Sequence, residues 1–205
     1  MKRFLRKMNR GLILAALILV GVVIFVTVDN ARFKRSKPVI QKQVEAYLEE
    51  VKRVNLEPAE EKVDQAKELL EQYWCDGSNG MNMSYSQMSK EDGIAYLKRV
   101  KEQGGDRNQV LDYIDMIRSV DIVKNGPGCA KAVVFYEASI GFEKEQGDGG
   151  YPIYGLQGDG YYSSEAKKED DKHINVSYSL SFLLYEKDGQ WKISSADYNE
   201  ADEQM

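Results

Sequence analysis

Hydrophobic and polar positions divide the chain into three regimes. The first is a run with no charge at all: Gly11 to Val28 reads GLILAALILVGVVIFVTV, with a single hydroxyl. As a helix it would be about 27 Å long, close to the ~30 Å hydrocarbon core of a bilayer. Arg10 bounds it on one side, and Asp29, Arg32, Lys34, Arg35 and Lys37 follow on the other. The second regime has helical spacing. Ser36-Lys37-Pro38 reads as a helix start, and Ile40, Val44, Tyr47, Leu48 and Val51 then share a face. Pro58 interrupts. A second stripe holds Ala59, Val63, Ala66, Leu70 and Tyr73, with Glu57, Glu60 and Glu61 around its start, where the helix dipole favours anions. After the turn cluster Asp76–Gly80, Ser89-Lys90-Glu91-Asp92 resembles a capping box for a short helix through Ile94, Leu97 and Val100, closed by Gly104-Gly105. Asp106 is expected to cap another helix, with Val110, Leu111, Ile114 and Ile117 inward.

From about Ser119 the period becomes two. A first strand is expected at Ser119–Lys124, then a turn at Asn125-Gly126-Pro127-Gly128. A long strand follows from Ala130 to Phe142, with Val134, Tyr136, Ala138 and Ile140 on one face. The clearest alternation is Ile174, Val176, Tyr178, Leu180, Phe182 and Leu184 against Asn175, Ser177, Ser179 and Ser181, which predicts one dry and one wet face. Asp188-Gly189 is a hairpin signal, with Trp191 and Ile193 on one side of the last strand. Residues 143–172 form a polar insertion rich in Gly and Tyr, expected as a flexible loop. The domain reading is a tail at 1–10, a membrane helix at 11–28, a basic linker at 29–37, a folded domain at 38–198 and a tail at 199–205.

Charge sharpens this picture. Five of the 28 bases precede the apolar run and all 33 acids follow it, so the remainder carries 23 bases against 33 acids, a net −10. So acidic a body is ill-suited to holding nucleic acid, and none is expected as a partner. A cleaved signal peptide is the main alternative to an anchor. The apolar stretch is longer than the ~7–15 residues of such a region, and no small-x-small cleavage pair follows it. The expectation is therefore an uncleaved anchor. Its N-terminus is expected in the cytoplasm, since that flank carries five bases against four on the other side and a ten-residue tail is the simpler part to leave behind, and the bulk of the chain is expected outside the cell membrane.

Helices first and then a strand meander is an α+β order. That order, a kinked first helix and the closing Lys187-Asp188-Gly189-Gln190-Trp191-Lys192-Ile193 hairpin resemble the nuclear transport factor 2-like (cystatin-like) superfamily over about residues 38–198. The resemblance implies helices packed on a curved antiparallel sheet, a cone with a pocket. A short tail, one membrane helix and an outer cone also resemble the VirB-type assembly components of conjugation and secretion machines, and small anchored envelope proteins of Gram-positive bacteria. The function implied is a single-pass extracytoplasmic binding or scaffold protein, with a protein partner or a second copy. An isomerase-like or dehydratase-like envelope enzyme and an envelope sensor are the alternatives.

Candidate chemistry is sparse. There is no phosphate-binding loop, serine elbow or metal-binding helix, and neither cofactor nor metal is expected. Tyr136, Tyr178, Phe182 and Trp191 lie on faces assigned inward and could line a pocket; such aromatics are more often plain core. No acid falls on those apolar faces. Asp197 shares the parity of Trp191 and Ile193 and is the least unsuitable base. His173, the one histidine, is expected to be exposed at a strand start. Outside the membrane Cys75 and Cys129 would form a disulfide or remain two separate thiols, and the sequence leaves both open.

Overall fold

The computed structural model describes residues 10–76, 81–83, 86–88, 90–103, 109–143, 167–168 and 172–200. Side chains at 59–60, 81–88, 167–168, 176, 178 and 197–200 are also outside the description. The chain divides into two compact units, Met1–Val39 and Ile40–Met205.

Helix α1 spans Arg10–Leu56. The expected start at Ser36-Lys37-Pro38 is therefore corrected: Pro38 lies inside the helix, which runs unbroken through 29–37. Proline removes one N–H, here the donor that would reach the Lys34 carbonyl. Both residues are exposed, so water can serve that carbonyl. The helix ends before Pro58, as its restricted φ and the missing N–H require. Helix α2, Ala59–Tyr73, follows, and α3 spans Lys90–Glu102.

In the second unit Ile40, Val44, Tyr47, Leu48 and Val51 of α1 are fully buried, and Val63, Ala66, Leu70 and Tyr73 of α2 are nearly so. The expected stripes are the observed core faces. Expected helix features at Ser89, Gly104, Gly105 and Asp106 lie outside the described residues, as does most of the 143–172 insertion.

The strands are β1 (Met81–Met83), β2 (Ser86–Met88), β3 (Val110–Gly126), β4 (Cys129–Phe142), β5 (Lys167–Lys168), β6 (His173–Lys187) and β7 (Gln190–Glu200). They form one sheet in the order β2-β1-β7-β6-β4-β3, with β5 on β6. The long neighbours β3–β4, β4–β6 and β6–β7 are antiparallel, whereas β1 meets β7 in parallel. The β1–β2 hairpin has no counterpart in the periodicity reading. The turns match expectation: Gly126 and Gly128 have φ of 136° and 61°, and Asp188 and Gly189 have 52° and 78°, the two left-handed positions of a type I′ hairpin.

The largest correction is at 110–118. A helix was expected there, but β3 is a continuous strand from Val110. Its register against β4 shifts between Val110 and Asp112 and again between Ile117 and Ser119. A bulge inserts one residue and breaks the two-residue alternation. Buried Val110 and Tyr113 thus stand three apart, which imitates a helical stripe.

One face of the sheet is dry. Val134, Tyr136, Ile140, Ile174, Leu180, Phe182 and Leu184 are fully buried on it, under α1, α2 and Trp74. The outer face carries Asn175 and Ser177, both exposed, with Ser179 and Ser181 half-buried, as the alternation predicted.

Candidate functional site

Two clusters sit beneath the helices, and the aromatic residues singled out in the sequence are divided between them. The first is polar. Tyr136 is paired in register with Ile117 on β3 and with Tyr178 on β6. Its hydroxyl lies 3.1 Å from that of Tyr113 and donates to Asp115 Oδ2 at 3.2 Å. Lys52, on α1, donates from Nζ to Asp115 Oδ1 at 2.8 Å. The side chain of Asp115 is 12% exposed and that of Lys52 is 29% exposed, so Lys52 stands between the carboxylate and water. The hydrogen bond to Asp115 raises the affinity of the Lys52 ammonium for its proton. Burial, then the neighbouring Tyr113 and Asp115, push the Tyr136 phenol far above its ordinary pKa. In this arrangement Tyr136 stays protonated and donates a hydrogen bond, and Asp115 has both oxygens engaged.

The second cluster is aromatic. Phe182 stands edge-on to Tyr47 with centroids 5.7 Å apart, and Tyr47 in turn makes T-shaped contacts with Tyr73 at 5.4 Å and Trp74 at 6.5 Å. Trp74 Nε1 donates to the Tyr47 hydroxyl at 3.4 Å. Phe182 is four residues along β6 from Tyr178, roughly 13 Å at the usual strand rise. Trp191 is buried further away, opposite Glu186 at the β6–β7 hairpin. The side chains of Tyr178 and Asp197 are outside the described residues; their backbones pair with Tyr136 and Ser181.

Sequence reasoning missed Tyr113, Asp115 and Lys52. It found no acid on the apolar faces that carry Tyr136, Tyr178 and Phe182, and Asp115 lies on the neighbouring strand, opposite Ala138 on the inner face of β3. Reading 113–117 as a strand would have shown Tyr113, Asp115 and Ile117 alternating inward. The bulges concealed that signal.

Two other features lie outside both clusters. His173 is half-exposed, and its Nε2 stands 3.7 Å from Asp112 Oδ2. The two meet over Gly141, their common register partner, where an added Cβ would collide with the Asp112 carboxylate. Cys75 and Cys129 are both free thiols. Cys129 pairs with Tyr185, Tyr185 with Lys192, and the Cys75 N–H donates to Ile193 O at 2.8 Å beyond β7. Three strand spacings amount to about 14 Å, twice the ~7 Å limit for a disulfide. Of the two alternatives left open, separate thiols are what the structure carries. Burial pushes the Cys75 thiol upward in pKa. Among the described residues no group of three or more His, Cys, Asp or Glu could hold a metal ion.

No protein-family model matches the sequence, and no curated protein does. Solved structures do. A nuclear transport factor 2-like superfamily protein from Salmonella enterica serovar Typhimurium is similar at 9% identity and a TM-score of 0.51, covering 84% of this chain and 96% of its own. A protein described as a candidate scytalone dehydratase, from Novosphingobium aromaticivorans, is similar at 12% identity and a TM-score of 0.50, covering 85% of this chain and 88% of its own. At such identities the likeness establishes the fold alone. The chain has a nuclear transport factor 2-like, α+β fold: a long N-terminal apolar helix, then helices against a curved antiparallel sheet. Among the described residues one helix, Gly11–Leu56, is long and apolar enough to cross a membrane, and none of its most apolar window is covered by protein.

Proposed function

We propose that this chain is a single-pass membrane protein whose nuclear transport factor 2-like domain works outside the cytoplasm as a binding or assembly module, for a protein partner or a second copy. The observation that carries the binding role is the outer face of the edge strand β3. Ile114 is 69% exposed there, Met116 49%, and Leu111, at the bulge, 61%. Ile114 pairs with Ser139 and Met116 with Glu137, so they share the outer face. An exposed apolar row on a long edge strand is a feature that proteins otherwise suppress, and such rows mark contact surfaces. A component of a conjugation or secretion complex is the specific form of this proposal, on the resemblance in sequence organisation to VirB-type components; a gene neighbourhood without a transfer ATPase would count against it.

Ile114→Glu should leave the fold intact, because the side chain faces water. In pull-downs from detergent-solubilised membranes, with the mass of the complex followed by light scattering, the variant is expected to lose the partner or second copy held by the wild type. An unchanged complex would refute the β3 surface.

An envelope enzyme is the second reading, favoured by the Tyr113–Tyr136–Asp115–Lys52 cluster. The similar dehydratase-type structure shows only that this fold can be compared with one proposed for dehydration. On this reading Tyr136 would donate a hydrogen bond to an oxygen of a hydroxylated substrate, and Tyr136→Phe would abolish turnover of that substrate while the chain stays folded. Turnover surviving in that variant would end it.

A further inference from the structure

The segment that follows the apolar run has a geometry of its own. Arg32, Lys34, Arg35 and Lys37 are all exposed on α1, and Asp29 is the one acid between Val28 and Val39. At 100° per residue, and with Arg32 at zero, these bases point to about 0°, 200°, 300° and 140° around the helix. The widest gap between adjacent bases is about 140°. Phe33 lies within it, and the Lys37 ammonium leans over that ring, 5.6 Å from its centroid. The bases thus form a collar and not a stripe. A protein surface or a nucleic acid would touch one side of a helix and call for cations on that side. An anionic layer that surrounds the helix calls for cations all round.

The axial extent fits the same layer. Arg32 to Lys37 covers about 7.5 Å of helix, and the headgroup region of one leaflet is about 5–7.5 Å thick. Counting from Val28, the last residue of the charge-free run, the collar begins within about 6 Å of the hydrocarbon edge. We propose that Arg32, Lys34, Arg35 and Lys37 are a headgroup-binding collar that gathers anionic phospholipids around α1. The inference rests on the reading that Gly11–Val28 crosses a membrane and deepens it: the lipid is a ligand of stated charge and not only a solvent.

The test uses the full chain reconstituted into vesicles of phosphatidylcholine with one part in three phosphatidylglycerol. Spin-labelled lipids of each kind report which are held at the protein surface. The wild type should restrict labelled phosphatidylglycerol several-fold more than labelled phosphatidylcholine, and salt should weaken the difference. The combined Arg32→Gln, Lys34→Gln, Arg35→Gln and Lys37→Gln variant should lower that preference about twofold or more, with restricted phosphatidylcholine unchanged. The matching Lys2→Gln, Arg3→Gln, Arg6→Gln and Lys7→Gln variant controls for the other flank and should keep the collar's share. A collar variant with the wild-type preference overturns the proposal while leaving the span intact. Failure of the wild type to enter pure phosphatidylcholine vesicles would instead overturn the span, and the collar with it.

Discussion

Phe182→Ala should lower the unfolding free energy by about 3–5 kcal/mol, the usual cost of emptying a buried phenylalanine site. The argument is one of volume. Phe182 is fully buried, and its register partners on both sides are alanines, Ala132 on β4 and Ala196 on β7. One large ring flanked by two methyl groups fills the space above three strands, and neither alanine can expand to close the cavity. Above it Tyr47 loses an edge-to-face partner, worth a further ~0.5–1.5 kcal/mol in coupling. Urea titration of the detergent-solubilised chain, followed by tryptophan fluorescence, checks this directly, since Trp74 abuts the same Tyr47 ring. A loss below about 1 kcal/mol would mean that the site can collapse, and that the helices are not packed on the sheet as described.

Alkali should unfold the domain steeply. Burial raises the phenols of Tyr47 and Tyr136 well above their ordinary pKa, and that of Tyr73 less deeply. In the unfolded chain each ionises near pH 10. The folded state therefore keeps protons that the unfolded state releases, and stability, full below about pH 10, falls as pH rises beyond it. Tyr47 and Tyr136 together imply a loss of about 2–3 kcal/mol per pH unit in that window. Removing one of the two phenols, Tyr136→Phe should roughly halve the slope. It should also cost stability at neutral pH, because Asp115 and Tyr113 each lose a hydrogen-bond partner in a half-dry site. The readouts are the urea midpoint and the tyrosinate absorbance, with the buried phenols appearing only as the chain unfolds. A midpoint that stays flat to pH 11.5 would contradict the burial of these two rings.

The parts of the fold legible in the sequence were those whose pattern is regular. Ile40 to Val51 and Val63 to Tyr73 keep helical spacing because each helix buries one face. Ile174 to Leu184 alternates because one side is wet. The turns at Gly126-Pro127-Gly128 and Asp188-Gly189 announce themselves through residues that tolerate positive φ. The polar site was illegible for a local reason. Leu111 and Arg118 are extra residues in a bulged strand, and each shifts the parity by one, so Asp115 read as part of a helix and not as an inward carboxylate. Lys52 could not be placed either, since its meeting with Asp115 joins residues 63 positions apart. Pro38 misled in the opposite direction, because a proline that ordinarily opens a helix here sits inside one, at an exposed position where the lost hydrogen bond can go to water.

The central claim is that residues 11–28 cross a lipid bilayer. Extraction of membranes with sodium carbonate at about pH 11 tests it most directly. On the titration argument above, the domain loosens at that pH. The span GLILAALILVGVVIFVTV contains nothing that titrates, so it should keep its hold. The full-length chain, with its N-terminus intact by mass spectrometry, is predicted in the membrane pellet. The same intact chain in the supernatant would contradict the account.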